Sequence, residues 1–182
     1  MSTRTLLVSL LSVAAVACGG GGGGGNSNVP SGFTHCPQSG DVTKISDKDT
    51  QGEWQYQQQK AGATGGDIEV YAGSSSDCMG MPDIRQGSAK LLASAVITYK
   101  DSSTAGSAAS GLFGVGMSQI SKAPGAQSGS STGFGGSSAY VYSSTEAMAV
   151  WVSGSKVAAV LGENVSESDF KSFANGVKSQ TG

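Results

Sequence analysis

Residues 147–161 read Ala147-Met-Ala-Val-Trp-Val152, Ser153-Gly154-Ser155, Lys156-Val-Ala-Ala-Val-Leu161: two short apolar runs around a polar break that contains glycine. Runs of this length with β-branched and aromatic members suit strands better than helices, and a compact break between them is a hairpin turn. The stretch therefore predicts a pair of antiparallel strands. Upstream, Ala139-Tyr-Val-Tyr142 reads as one strand more. Downstream, Ser166-Glu-Ser-Asp169 resembles a capping box, and Phe170, Phe173, Ala174 and Val177 fall at i, i+3, i+4 and i+7, one face of a helix. That helix needs an apolar surface to lie on, and the sheet is the surface the sequence offers.

The first half repeats the theme more faintly. Glu53-Trp54-Gln55-Tyr56-Gln57 and Asp67-Ile68-Glu69-Val70-Tyr71-Ala72 alternate at a period of two and are expected to pair across the turn-rich residues 61–66. Lys90 to Tyr99 ends in β-branched and aromatic residues, so its second half at least is expected to be strand. Asp101, Ser102, Ser103 and Thr104 offer N-caps for a helix carrying Ala105, Ala108, Ala109, Leu112 and Phe113, which Gly106 and Gly111 weaken. Gly111-Leu-Phe-Gly-Val-Gly116 reads as the end of that helix. Residues 118–137 read as a Gly/Ser-rich loop. Strand, polar pair and capped helix recur in both halves, a faint sign of duplication. The expected fold class is α+β: an antiparallel sheet of about five or six strands, two helices packed on one face, and one disulfide.

Composition bounds the function. The chain has 182 residues, of which 13% are charged against a usual share of about 25%. Its formal charge is −2, and its nine lysines are scattered, so no clustered cationic footprint exists for nucleic acid. At the amino terminus, Arg4 precedes an apolar run, Leu6 to Ala17, that ends in small residues. This is the layout of a secretory signal, and it is too short to cross a hydrocarbon core of roughly 30 Å.

Ala15-Val16-Ala17-Cys18 resembles the lipobox of bacterial lipoproteins, with Ala15 where that pattern more often has Leu. The resemblance implies that signal peptidase II cleaves before Cys18, that the Cys18 sulfur is diacylated, and that the new amino group is open to acylation. A conventional secretory signal, leaving Cys18 as a free thiol, is the competing reading. Seven glycines follow the cysteine, then Asn26-Ser27-Asn28. Glycine loses the most backbone entropy on ordering and has no side chain to bury, so the run is expected to be a tether reaching roughly 20 Å. Two acyl chains hold a protein at a bilayer stably where one does not. The expected organisation is a signal peptide over residues 1–17, a lipidated cysteine and tether over 18–28, and a single extracytoplasmic domain over 29–182. The membrane is then a partner through the lipid on Cys18, in the cell membrane or the outer membrane. A protein or small-molecule partner is not identified.

Two other cysteines remain, Cys36 and Cys78. In an exported chain an even remainder predicts a disulfide. The alternative is a soft Cu(I) site built from His35, Cys36 and Cys78-Met79-Gly80-Met81, but a disulfide would consume both thiolates. Catalytic signatures are weak. Gly129-Ser-Ser-Thr-Gly133 satisfies Gly-x-Ser-x-Gly, yet the chain's one histidine, His35, lies upstream, and the motif needs a strand, a helix and a following histidine. Ser153 to Lys156 and Ser168 to Lys171 satisfy Ser-x-x-Lys at a turn and at a helix start. Asp47, Asp49 and Glu53 read as solvated charge, with weak cation binding as the alternative, and both Trp54 and Trp151 are assigned to the core. No catalytic, metal or cofactor site is expected. The function expected is a non-catalytic binding or structural module of the bacterial cell envelope. The alternative is a carrier or sensor of a small apolar ligand held between sheet and helices and gated by residues 118–137.

Overall fold

The computed structural model describes residues 28–37, 39–44, 54–55, 58–79, 89–120, 125–130, 139–143 and 145–181. Its strands are β1 (Thr34–His35), β2 (Gly40–Asp41), β3 (Ala63–Ala72), β4 (Leu91–Tyr99), β5 (Gln127–Ser130), β6 (Ala139–Tyr142), β7 (Glu146–Ser153) and β8 (Lys156–Glu163). Its helices include α1 (Ser75–Met79), α2 (Ser102–Ile120) and α3 (Glu167–Thr181). The strands form one antiparallel sheet in the order β1-β3-β4-β8-β7-β6-β5, with β2 also paired to β3. The α+β class, the antiparallel sheet and the disulfide are as the sequence predicts.

The β7–β8 hairpin closes through the pair Ser153 and Lys156, leaving Gly154-Ser155 as a two-residue loop. Gly154 has φ 58° and Ser155 does not share that region, the pattern of a hairpin turn with glycine at its first central position. Along β7, Met148 and Val150 point to one side and Ala147, Ala149 and Trp151 to the other. Both sets are buried, and β8 and the first half of β4 behave alike. The sheet is therefore covered twice. Ala105 and Ala109 of α2 pack with Leu91, Ala93, Met148, Val150, Ala159 and Leu161. Phe170, Phe173, Ala174 and Val177 of α3 pack with Leu92, Ala147, Ala149, Trp151, Ala158 and Val160.

This corrects one expectation: the two helices lie on opposite faces, not on one. The physical reason is that β4, β7 and β8 read as nearly continuous apolar runs, and a strand with one face in water would alternate. It also removes the sign of duplication. A two-fold axis relating neighbouring antiparallel strands, as β4 and β8 are, runs perpendicular to the sheet and leaves its faces unchanged. Repeated units would have set both helices on the same side.

Other elements differ from the sequence reading in particular places. Residues 54–55 and 58–61 are helical, so the strand expected at Glu53 to Gln57 is not formed there. The residues between and after the aromatics, Gln, Lys and Ala, are better helix than strand formers, and Trp54 and Ala61 are seven apart, on one helical face. Both pack into the α2-side core, Trp54 at 9% exposure. The strand expected from Asp67 begins sooner, at Ala63, and runs through the glycines of the expected turn. Gly66 is there for closeness: a Cβ on it would stand 2.7 Å from the Val96 carbonyl oxygen. The helix α2 continues through Gly111 and Gly116 to Ile120, and β5 occupies 127–130, so the expected loop over 118–137 contains a helix end and an edge strand.

The helix caps follow the sequence. Asp101 Oδ1 accepts from the Thr104 amide at 2.7 Å and opens α2. Ser166 Oγ accepts from the Asp169 amide at 3.1 Å and donates to the Asp169 carboxylate at 2.8 Å, opening α3. Gly162 lets α3 close on the sheet, since a Cβ there would sit 2.8 Å from Val165 Cγ2 and 3.1 Å from Phe170. Gly162→Ala is expected to destabilise the fold by roughly 1–3 kcal/mol through overpacking. Urea unfolding checks it: the midpoint falls while the slope m stays constant.

Candidate functional site

The chain enters the sheet at its β1 edge. Thr34 and His35 pair with Ala72 and Tyr71, and the Cys36 amide then donates to the Val70 carbonyl at 2.8 Å. Cys36 turns to the α2 side, where it joins Cys78 of α1 with a Cα–Cα distance of 5.4 Å. Both sulfurs are buried, at 0% and 5% residue exposure. The pairing is the one predicted, and it removes the thiolates from any soft metal set. Among the described residues no group of three His, Cys, Asp or Glu side chains is placed to hold a metal ion.

On the opposite face, His35 stands beside a carboxylate. His35 Nε2 and Glu69 Oε2 are 2.5 Å apart, and the Tyr71 hydroxyl donates to the same oxygen at 3.4 Å. The His35 ring lies 5.0 Å from the Tyr71 ring, and Tyr71 meets Phe173 of α3 edge-on at 5.5 Å. Val29 and Phe33 pack against this α3-side core. The cluster is thus anchored to the core through Tyr71 and open to solvent through His35, whose side chain is 47% exposed. Period-two alternation in Asp67 to Ala72 signalled Glu69 and Tyr71 on one face. Nothing in the sequence signalled that a two-residue strand would bring His35 to them.

The cluster is a carboxylate with two donors. Among the described residues no serine or cysteine is bonded to the His35 ring. The Gly-x-Ser-x-Gly serine, Ser131, lies outside the described residues, but its neighbour Ser130 ends β5. β1 and β5 are the two edges of the sheet, six strand spacings apart, which is roughly 29 Å. Ser153 and Lys156 face each other across the hairpin turn, as expected. Lys171 is engaged elsewhere: its ammonium is 2.7 Å from Glu167 and 5.3 Å from the centre of the Tyr140 ring. The Glu167 hydrogen bond holds the Lys171 ammonium above its ordinary pKa.

Both tryptophans are core, Trp151 with its indole N–H donating to Thr181 Oγ1 at 3.1 Å. Cys18 and the lipobox, Asp47, Asp49 and Glu53, Gly80 and Met81, and residues 131–137 lie outside the described residues. No described helix is long and apolar enough to cross a membrane.

Comparison with protein-family models gives no match, and comparison with curated proteins gives none. Among solved structures, the chain resembles the extracellular domain of PknH from Mycobacterium tuberculosis. The identity is 8% over 82% of this chain and 77% of that one, with a TM-score of 0.43. Likeness this distant carries no functional information.

Proposed function

We propose that the chain is a lipid-anchored extracytoplasmic protein of the bacterial cell envelope, a binding or structural module without catalysis. The observation that carries this reading is the buried Cys36–Cys78 disulfide. A structural disulfide belongs to an oxidising compartment, and it accounts for two of the three cysteines. The third is Cys18, set between an export-type apolar run and seven glycines. The carrier reading has less support, because the side chains between α3 and the sheet are tightly buried, with Phe170, Phe173, Leu92 and Val160 all at 0% exposure. The separation of Ser130 from His35 supports the absence of hydrolytic chemistry.

The test is the mass of the amino-terminal peptide from the full chain expressed in a bacterial host. A peptide that begins at Cys18 and carries a diacylglyceryl mass is expected in the membrane fraction. Cys18→Ser is expected to lose both the cleavage and the acyl mass. An unmodified Cys18, or a parent chain that leaves the membrane in a carbonate wash, overturns the reading.

A further inference from the structure

Beside the His35 cluster, the α3-side face gathers three carboxylates, Asp41, Asp67 and Glu69, against Lys44 and His35 among the described residues. Asp41 of β2 and Asp67 of β3 are direct cross-strand partners, and Glu69 lies one step further along the same face. Like charges directly opposite one another weaken a strand pair. Among the described residues the cation near Asp41 is Lys44, 3.3 Å away and 81% exposed. The Thr43 hydroxyl and amide hold the Asp41 carboxyl below its ordinary pKa, so it is charged. Directly across from Glu69, on β4, stands Ser94. Ser94 is 5% exposed, and its hydroxyl has no hydrogen-bond partner among the described residues. Buried hydroxyls are nearly always partnered, by protein or by ordered water, so this one is open to a donor or acceptor from beyond the described residues. Glu69 is lopsided in the same way: Oε2 takes both His35 and Tyr71, and Oε1 accepts nothing among the described residues.

An open carboxylate oxygen and an unpartnered hydroxyl on adjacent strands suit a donor-rich cation. A metal ion would need a tighter ligand group than the described residues provide. Ser94 is nearly closed to solvent, so the group that reaches it is slender. We propose that this ledge binds a linear aliphatic polyamine: one ammonium donates to Glu69 Oε1 and Ser94 Oγ, and a second lies against Asp67 and Asp41. The step from Glu69 to Asp67 is about 7 Å along the strand, which a spacer of a few methylenes bridges. The inference specifies a ligand for the proposed binding module and rests on that reading, but not on its lipid.

Spermidine titrated calorimetrically into the full chain in detergent, at physiological ionic strength, tests it. Saturable binding is expected, at least tenfold weaker in Glu69→Gln and at least threefold weaker in Ser94→Ala. Asp67 is exposed, so Asp67→Asn folds even if Glu69→Gln does not, and it is expected to weaken binding severalfold. Glu167→Gln, a carboxylate removed from the ledge, leaves binding unchanged. The proposal is overturned by the absence of saturable heat or by equal affinity in Ser94→Ala and Asp67→Asn. Displacement by magnesium or by tetralysine at matched charge also overturns it, since that describes diffuse attraction. None of these results changes the mass of the Cys18 peptide, so the two readings fail separately.

Discussion

Phe173→Ala is expected to lower the unfolding free energy by about 3–5 kcal/mol and the thermal midpoint by roughly 10 °C. Phe173 is at 0% exposure on the inner face of α3, packed among Leu92, Phe170 and Val177. Its removal takes away both the transfer free energy of the ring and the contacts that the remaining cavity cannot recover. Its edge-on contact with Tyr71 is lost as well, and Tyr71 is what ties His35 to the core. The deletion therefore acts at two places. Global stability falls, and the His35 imidazole resonances are expected to broaden or shift even where the sheet remains folded. Lys171→Ala, two residues earlier on the same helix, removes an ion pair whose ammonium side is 39% exposed, and is expected to cost less than 1 kcal/mol. Denaturant unfolding of the two variants side by side is the measurement. If Phe173→Ala costs no more than Lys171→Ala, α3 does not hold the second layer of the fold.

How much of this could be read in advance depends on which physical signal each element carries. The β7–β8 hairpin was legible because turn chemistry at Gly154 and strand chemistry on either side agree locally. The α3 helix was legible for the same reason, with Ser166 as its cap and Phe170 and Phe173 in phase. The opposite placement of α2 was in principle legible too, from the absence of polar alternation in Leu91 to Ala95 and Ala147 to Val152. Periodicity identifies an element, but the number of buried faces is carried by what the period lacks. Gly65 and Gly66 misled because glycine signals freedom, whereas at Gly66 the determinant is the Val96 carbonyl on a neighbouring strand. The helical residues around Trp54 show the reverse case, in which a two-residue alternation of Trp and Tyr competes with the helix preference of Gln, Lys and Ala and loses.

The candidate site was legible only in pieces. The sequence offered Cys36 and Cys78 as a pair by parity, and the pairing stands. His35, Glu69, Ser94 and Asp41 gave no joint signal, because they come from four strands whose register is set by long-range pairing. Sequence spacing carries no information about which side chain a strand will bring into reach 34 positions away, as β1 brings His35 to Glu69. Chemistry that depends on cross-strand register becomes visible when the register does.

Replacing the disulfide is expected to give the other large effect, and its distribution is the more informative part. The bond closes a sequence separation of 42 residues, for which chain entropy predicts a loss of about 4 kcal/mol in the double variant Cys36→Ala, Cys78→Ala. β1 and β2 are two residues each, too short to hold an edge by backbone pairing alone. What fixes them is the Cys36 cross-link, with the Val70 and Gly66 carbonyls accepting from the Cys36 and Val42 amides and Ser39 Oγ accepting from the Val70 amide. Without the cross-link, residues 34–44 lose the constraint that keeps them at the edge, whereas β4, β8 and β7 keep theirs. Hydrogen exchange is therefore expected to accelerate first at Cys36, Val42 and the outer amides of β3, and least at Val160 and Leu161. Reduction of the parent chain should reproduce that pattern, which separates the covalent constraint from the volume lost at two buried sulfurs. Uniform acceleration across the sheet, or a loss below 1 kcal/mol, would mean that the edge is held by packing and that the disulfide braces nothing. In that event Ser94 and Glu69, whose placement depends on β3 keeping its register with β4, would be fixed independently of the oxidising compartment the chain is proposed to occupy.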